Sequence, residues 1–212
     1  MISIPPIAPY QATLDAFATS PRRSLDVGED LYHADDVATS IYIVEHGTIV
    51  ETRSEGNGRS FAVAIHGPGT VFGYRTLAKS PARGSRAPAL VTTVLREMDR
   101  HVALELLALD PEFASKMMTD LAKAARQAER MCDAWQWQDL RSTLLFVLRE
   151  IVNNLEDHNG NYSYRIDLPL LELMAGCPAP ILGKTLQSLQ TNGSIQSNDD
   201  GYQFVNRQGE SP

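Results

Sequence analysis

Residues 66–73 read His66-Gly67-Pro68-Gly69-Thr70-Val71-Phe72-Gly73, three glycines and a proline enclosing a short β-forming run. Glycine admits the left-handed backbone of tight corners, and proline cannot continue a helix. The same texture extends outward in both directions. Upstream lie Ser24–Val27, Ile41–Val44, Thr48–Thr52 and Phe61–Ile65; downstream lies Leu90–Met98, with Gly28, Gly47, Gly56, Gly58, Pro81 and Pro88 between the runs. Short strands at regular spacing with glycine at the corners predict an all-β barrel or sandwich from residue 22 to about 99. The Glu55-Gly56-Asn57-Gly58 stretch is the expected turn of a hairpin. Ahead of this region, Leu14, Phe17 and Ala18 share one face of a short helix expected within residues 10–19.

After Asp99 the apolar period changes from two to about 3.6. His101–Leu109 reads as a short helix, and Asp110-Pro111-Glu112 supplies an N-cap followed by proline at the first helical position. A long helix is expected from Pro111 to about Asp133. Along it Ala114, Met118, Leu121, Ala125, Ala128, Cys132 and Trp135 recur at steps of four and three, a heptad seam. A second stripe (Phe113, Met117, Ala124, Met131) runs beside it. One β domain covers only one face, so the second stripe is expected to pack on that domain and the seam on a second copy of the helix. Facing copies of Cys132 are expected to act as small packing residues rather than as a disulfide.

A further helix is expected over Asp139–Leu155, with Leu144, Leu145, Val147, Leu148, Ile151 and Val152 as its buried face. Tyr162–Leu168 alternates like a strand, Leu170–Ala175 and Pro180–Thr191 read as helices about a Gly176-Cys177-Pro178 turn, and Asn192-Gly193 ends the second. Ser194–Gln196 and Tyr202–Val205 flank Asp199-Asp200-Gly201 as a hairpin. Helix, turn, helix and two-stranded wing make a winged helix-turn-helix. The expected fold is therefore α+β in three parts: a β-roll over 1–109, a dimerisation helix over 110–137, and the winged helix over 138–212.

Composition narrows the function. The 212 residues are 43% hydrophobic and 21% charged, the balance of a folded globular chain. No run approaches the ~18 to 20 apolar residues of a membrane span. The N-terminal stretch lacks the basic and apolar regions of an export signal, so the cytoplasm is the expected location. Cys132 and Cys177 form neither a disulfide framework nor a zinc site. His33, His46 and His66 lack the spacing of a metal site and are expected at the surface or at strand ends, so no metal and no cofactor is expected. No catalytic triad, phosphate-binding loop or paired-carboxylate site is present, which argues against an enzyme. The formal net charge of −7 argues against a surface that binds phosphate all over, and leaves room for a local basic patch.

The order of elements over residues 14–206 resembles the family of the cyclic-AMP receptor protein and the fumarate–nitrate regulator, the Crp/Fnr family. The matching stretches are Val27-Gly28-Glu29, Ile41–Gly47, His66–Gly73, Leu107–Glu112, Leu173–Cys177 and Leu182–Leu189. The resemblance implies a cyclic-nucleotide-binding-like β-roll (jelly roll) sensor, a homodimer through the long helix, and a C-terminal domain that binds double-stranded DNA at a palindrome, with RNA polymerase as a further partner. It implies effector-pocket candidates at Gly73, Tyr74, Arg75, Arg83, Arg86 and Ala87. In cyclic-AMP binders a glutamate follows the cassette glycine and accepts from the ribose; this chain has Tyr74 there. The family's Arg-Ser/Thr pair reads Arg86-Ala87, without the hydroxyl. A buried ribose hydroxyl left unpaired costs about 1 to 3 kcal/mol. Ordinary cyclic-AMP sensing is thus not expected, and the effector stays unassigned. Arg75, Arg83 and Arg86 are either ligands for another anion or solvated surface arginines. In a form active without ligand, Tyr74 or Arg75 is expected to fill the pocket.

The DNA-reading positions are also unusual. The second helix of such a motif enters the major groove by its N-terminal residues. Where the family usually carries Arg and Glu, this chain has Ala179 and Pro180 after Pro178. Lys184 is the remaining base-reaching cation, with Thr185, Gln187 and Ser188 able to add hydrogen bonds. From Gln138 to Pro212 five Lys/Arg face nine Asp/Glu, unfavourable for phosphate neutralisation. The first reading is a DNA-binding regulator; the second is a family member with a degenerate recognition helix that acts through protein partners.

Overall fold

The computed structural model describes residues 15–54, 60–78, 81–136, 141–142, 144–145, 168–175, 177, 179–198 and 201–204. The chain divides into two compact units, residues 1–51 with 66–127 and residues 52–65 with 128–212.

The β region contains β1 (Arg22–Leu25), β2 (Ser40–His46), β3 (Ile49–Ser54), β4 (Ser60–His66), β5 (Val71–Phe72) and β6 (Thr93–Asp99). Each run of β-formers read from sequence overlaps one of them. An antiparallel sheet is ordered β1-β6-β2-β5, and β3 pairs with β4. The Glu55–Gly58 turn lies outside the described residues. Strand β2 is buried on both faces: Tyr42 and Val44 point into one cluster with Leu25, Leu31, Tyr32, Ile49, Phe72 and Leu95, while Ile41 and Ile43 point into another with Phe17, Val71 and Met98. Its continuous apolar run reflects this two-sided burial. Gly47 turns the chain at φ 87°, and a Cβ there would lie 2.5 Å from the Thr92 carbonyl oxygen, so no other residue fits.

Arg22 and Arg96 face each other across β1 and β6, a repulsive register by itself. The buried Glu45 carboxylate answers it, 2.8 Å from Arg22 Nη2 and 2.5 Å from Arg96 Nε. Burial works against its charge, but the hydrogen bonds and charges of Arg96 and Arg22 prevail and hold the carboxyl below its ordinary pKa. Arg96 also donates to the Ala18 carbonyl at 2.6 Å, fastening the segment before β1. That segment departs from expectation: Phe17 is fully buried, but the chain turns there and Ala18 is exposed.

Helix α1 (Arg100–Leu109) follows β6, with the Asp99 carboxylate accepting from the His101 N–H. Asp110 then caps α2 (Pro111–Gln136), accepting from the Glu112 and Phe113 N–H groups at 2.9 and 3.0 Å. Phe113 and Met117 are buried in the cluster of Ile41, Ile43 and Ala103. The neighbouring stripe is different: Ala114 is half-buried, and Met118, Leu121, Ala125 and Ala128 are exposed, Met118 by 66% and Leu121 by 51%. The side chains of Cys132 and Trp135 lie outside the described residues.

In the second unit, most of the expected Asp139–Leu155 helix and all of Tyr162–Asp167 lie outside the described residues. Leu168, expected to end a strand, instead begins α3 (Leu168–Ala175). Helix α4 (Ala179–Thr191) follows and closes at Gly193, φ 74°. The Ser194 N–H reaches the Leu189 carbonyl and the Gly193 N–H that of Gln190, a Schellman cap. Strands β7 (Ile195–Asn198) and β8 (Gly201–Phe204) pair as a hairpin.

Candidate functional site

The segment after β5 decides what the roll can hold. Gly73 is left-handed at φ 85°, and a Cβ on it would lie 3.0 Å from Tyr42 and 3.1 Å from Arg83 Nη1. From Arg83 onward the chain alternates: Arg83, Ser85, Ala87 and Ala89 are buried, and Arg86 is exposed. Period two sets this parity, because Ala87 and Ala89 belong to the interior cluster.

Arg83 is therefore an interior residue, only 3% exposed. Its guanidinium donates to the Ser40 carbonyl (2.8 Å), the Gly73 carbonyl (3.1 Å) and the Tyr42 hydroxyl (3.3 Å). It also lies 4.3 Å from the centre of the Tyr32 ring and 5.3 Å from that of Tyr42, a desolvated cation–π arrangement. Arg86 turns outward and holds Asp30 through Nε at 2.7 and 2.8 Å. Arg75 is exposed and lies against Gly84. The three arginines do not converge, and only Arg83 enters the interior.

Tyr74 does not fill that interior either. Its ring packs on the cluster of Phe17, Ile41, Phe113 and Met117, and its buried hydroxyl has no hydrogen-bond partner among the described residues. Burial, with the Asp120 charge adding to it, pushes the phenol well above its ordinary range. Tyr74 thus lies on the Phe17–Ile41 cluster and Arg75 is exposed, while Tyr32, Tyr42, Phe72 and Arg83 pack together inside the roll. Tyr32 and Tyr42 stack at 6.1 Å between ring centres, and Tyr42 meets Phe72 at 5.4 Å.

A polar relay continues from this aromatic stack. Ser85 Oγ donates to Glu51 Oε2 at 2.5 Å, and His66 Nε2 lies 3.1 Å from Glu51 Oε1. The His66 ring stacks on Phe72 at 4.3 Å. Burial alone would raise the Glu51 pKa, but hydrogen bonds from His66, Ser85 and Tyr32 and the His66 charge bring it to about 2. Tyr32 moves the other way, held neutral by burial and by the Glu51 charge. His66 ends β4 as expected, but it is 6% exposed rather than at the surface. Reading the sequence in pairs back from Ala89 and Ala87 would have found Ser85 and Arg83. Nothing in the sequence singled out Tyr32 or Glu51. Among the described residues no group of three or more His, Cys, Asp or Glu is placed to hold a metal.

The second place of interest is α4. Leu182, Leu186 and Leu189 are buried on one side. The opposite side exposes Pro180, Ile181, Gly183, Lys184, Gln187, Ser188 and Thr191, with Ala179 and Thr185 half-buried at its margins. The Ala179 N–H is taken by the Glu172 carboxylate of α3, and Cys177 between the helices is half-buried. Residues 179–191 contain no acid.

A β-roll closed by helices α1 and α2 is the architecture of a cyclic nucleotide-binding domain, and the profile of that domain matches residues 22–110. Over 190 residues the chain is 23% identical to the "Cyclic AMP receptor protein" of Thermus thermophilus, covering 90% of this chain and 86% of the relative. Its fold is that of a c-di-GMP-responsive global regulator from Xanthomonas campestris (TM-score 0.76, 19% identity, 92% of this chain and 99% of the other). FixK2 from Bradyrhizobium japonicum is similar as well (TM-score 0.73, 23% identity, 89% and 94%). Residues 22–110 thus match a cyclic nucleotide-binding domain, and the chain as a whole is similar to these regulators.

Proposed function

We propose that this protein is a dimeric, DNA-binding transcription regulator whose β-roll does not sense cyclic AMP in the ordinary way. In this reading residues 1–109 are the sensor, 110–137 the dimerisation helix and 138–212 a winged helix-turn-helix, working in the cytoplasm without catalysing a reaction. The family's regulators support the role, and the outer face of α4 carries the DNA reading: one exposed cation, Lys184, with Gln187, Ser188 and Thr191 beside it and no acid on the helix. The seam of Ala114, Met118, Leu121, Ala125 and Ala128 is the apolar surface for a second copy, and RNA polymerase is a further partner in this reading.

Two features support a sensor that differs from cyclic-AMP binders. Tyr74 replaces the ribose-accepting carboxylate and is packed into the outer cluster. The interior is occupied by aromatic rings around a guanidinium that already donates to the chain's own carbonyls. A nucleotide entering there must displace Arg83 or the tyrosines. Titration calorimetry with cyclic AMP is expected to show no micromolar binding; tight binding overturns this part.

The DNA reading is tested by selecting duplexes from a random pool with the purified protein at low and moderate salt. Enrichment of a palindrome with half-sites about 34 Å apart is expected. Absence of binding at about 50 mM salt, where phosphate contacts are strongest, favours the second reading, action through protein partners. Ala179 and Pro180, which offer no side-chain hydrogen bond, are the observation behind that alternative.

A further inference from the structure

The first turn of α4 is built for apolar contact. Resting on the DNA reading above, we infer that Ile181 makes this recognition helix specific for thymine, through the 5-methyl group that thymine presents in the major groove. Ile181 is 56% exposed, whereas the leucines that anchor α4 (Leu182, Leu186 and Leu189) are buried. It stands three residues before Lys184, so the two are neighbours on the helix surface, an apolar group next to the one cation.

The first two positions of this helix offer a base edge no hydrogen bond. Ala179 has no polar side-chain atom and its N–H is held by Glu172; Pro180 has no N–H. Helix N-termini ordinarily grip phosphate through free N–H groups, and here one is occupied and the next is absent. What this turn offers a base edge is carbon. In the major groove the carbon-bearing edge is the thymine methyl, the ordinary target of apolar side chains.

Gly183 points the same way by a separate route. A Cβ built on it meets nothing within 4 Å, so no neighbour in this chain requires glycine, although glycine weakens a helix interior. The missing side chain lets a surface outside the protein approach the helix backbone closely. Contact through carbon demands such an approach, because dispersion falls steeply with distance.

The experiment uses the full chain and the duplex recovered by selection. Each thymine of the half-site is replaced in turn by deoxyuridine, which removes only the 5-methyl, and affinity is measured by fluorescence anisotropy for the wild type and for Ile181→Ala. One or two positions are expected to lose about fourfold in affinity, the value of one buried methyl group. Ile181→Ala is expected to bind the thymine and deoxyuridine duplexes alike at those positions. Gly183→Ala is expected to raise the melting temperature while weakening binding, which a purely structural role does not produce. A selected duplex whose deoxyuridine versions bind the wild type as tightly as thymine overturns this inference and leaves DNA binding intact. The same holds if sensitivity persists in Ile181→Ala. Failure to bind any duplex overturns the DNA reading and this inference with it.

Discussion

The interior of the β-roll and the outer face of α4 each hold a single decisive cation, in opposite circumstances. Arg83 is 3% exposed and fully engaged by two carbonyls, a phenol and two ring faces. Lys184 is exposed on a helix face of small, polar and apolar side chains. The same positive charge is structural in the first place and available in the second. A buried guanidinium rigidifies because every donor left unmet is costly, whereas a lysine on a flexible stem acts as a mobile point charge. Where the charge is sequestered it ties strands of the roll together; where it is exposed it stays available for contact with a partner.

The comparison presupposes a dimer, and breaking the dimer should have the largest effect. Met118→Glu with Leu121→Glu places charge on the exposed seam of α2 and should yield monomers by light scattering. Affinity for a palindrome should then fall by about 100-fold or more, because the second half-site no longer benefits from linkage to the first. An unmodified chain that is monomeric at tens of micromolar removes the claim.

Removing the buried cation comes next. Arg83→Met leaves the Ser40 and Gly73 carbonyls and the Tyr42 hydroxyl without their donor and should cost about 3 kcal/mol in denaturant unfolding. Arg86→Met removes an exposed pair with Asp30 and should cost less than about 1 kcal/mol. Equal effects at the two positions would erase the distinction between interior and surface arginine. Lys184→Ala should leave stability unchanged and weaken DNA binding, by about 1 to 3 kcal/mol with relaxed specificity if it reads guanine. A contact to phosphate alone would instead weaken all sequences evenly and lower the salt slope by about one.

A further effect concerns pH. Glu51 has its folded pKa lowered to about 2, below the ordinary value of 4.5. The unfolded chain therefore takes up this proton first as pH falls, and the stabilisation it gives is complete above about 4.5 and lost toward 2. Glu51→Gln should have lower stability at neutral pH and a flatter pH dependence across that window. Identical slopes for the two chains would show that Glu51 is not held by Ser85, His66 and Tyr32.

Much of the fold was readable because local rules and tertiary packing agree. The strand runs between Gly28, Gly47, Gly67 and Gly73, the Asp110-Pro111 cap, and the division of α2 into a buried Phe113–Met117 stripe and an exposed Met118–Leu121 stripe all follow from spacing. The site was less readable. Arginine next to Gly84 carries every signal of solvent exposure, and only its parity with Ala87 and Ala89 shows that it faces inward. Tyr32 and Glu51 come from a loop and a strand far from it in sequence, so their meeting with Arg83, Ser85 and His66 depends on how the roll closes. Tyr74 was hard to place for a related reason: its position beside Gly73 gives its register in the segment but not the face to which its ring turns.

The most direct test of the account is duplex selection by the purified protein, run in parallel with and without saturating cyclic AMP. If the roll does not respond to cyclic AMP, the same palindrome is selected, with the same affinity, in both arms. Enrichment only in the cyclic-AMP arm, or none in either, would contradict it.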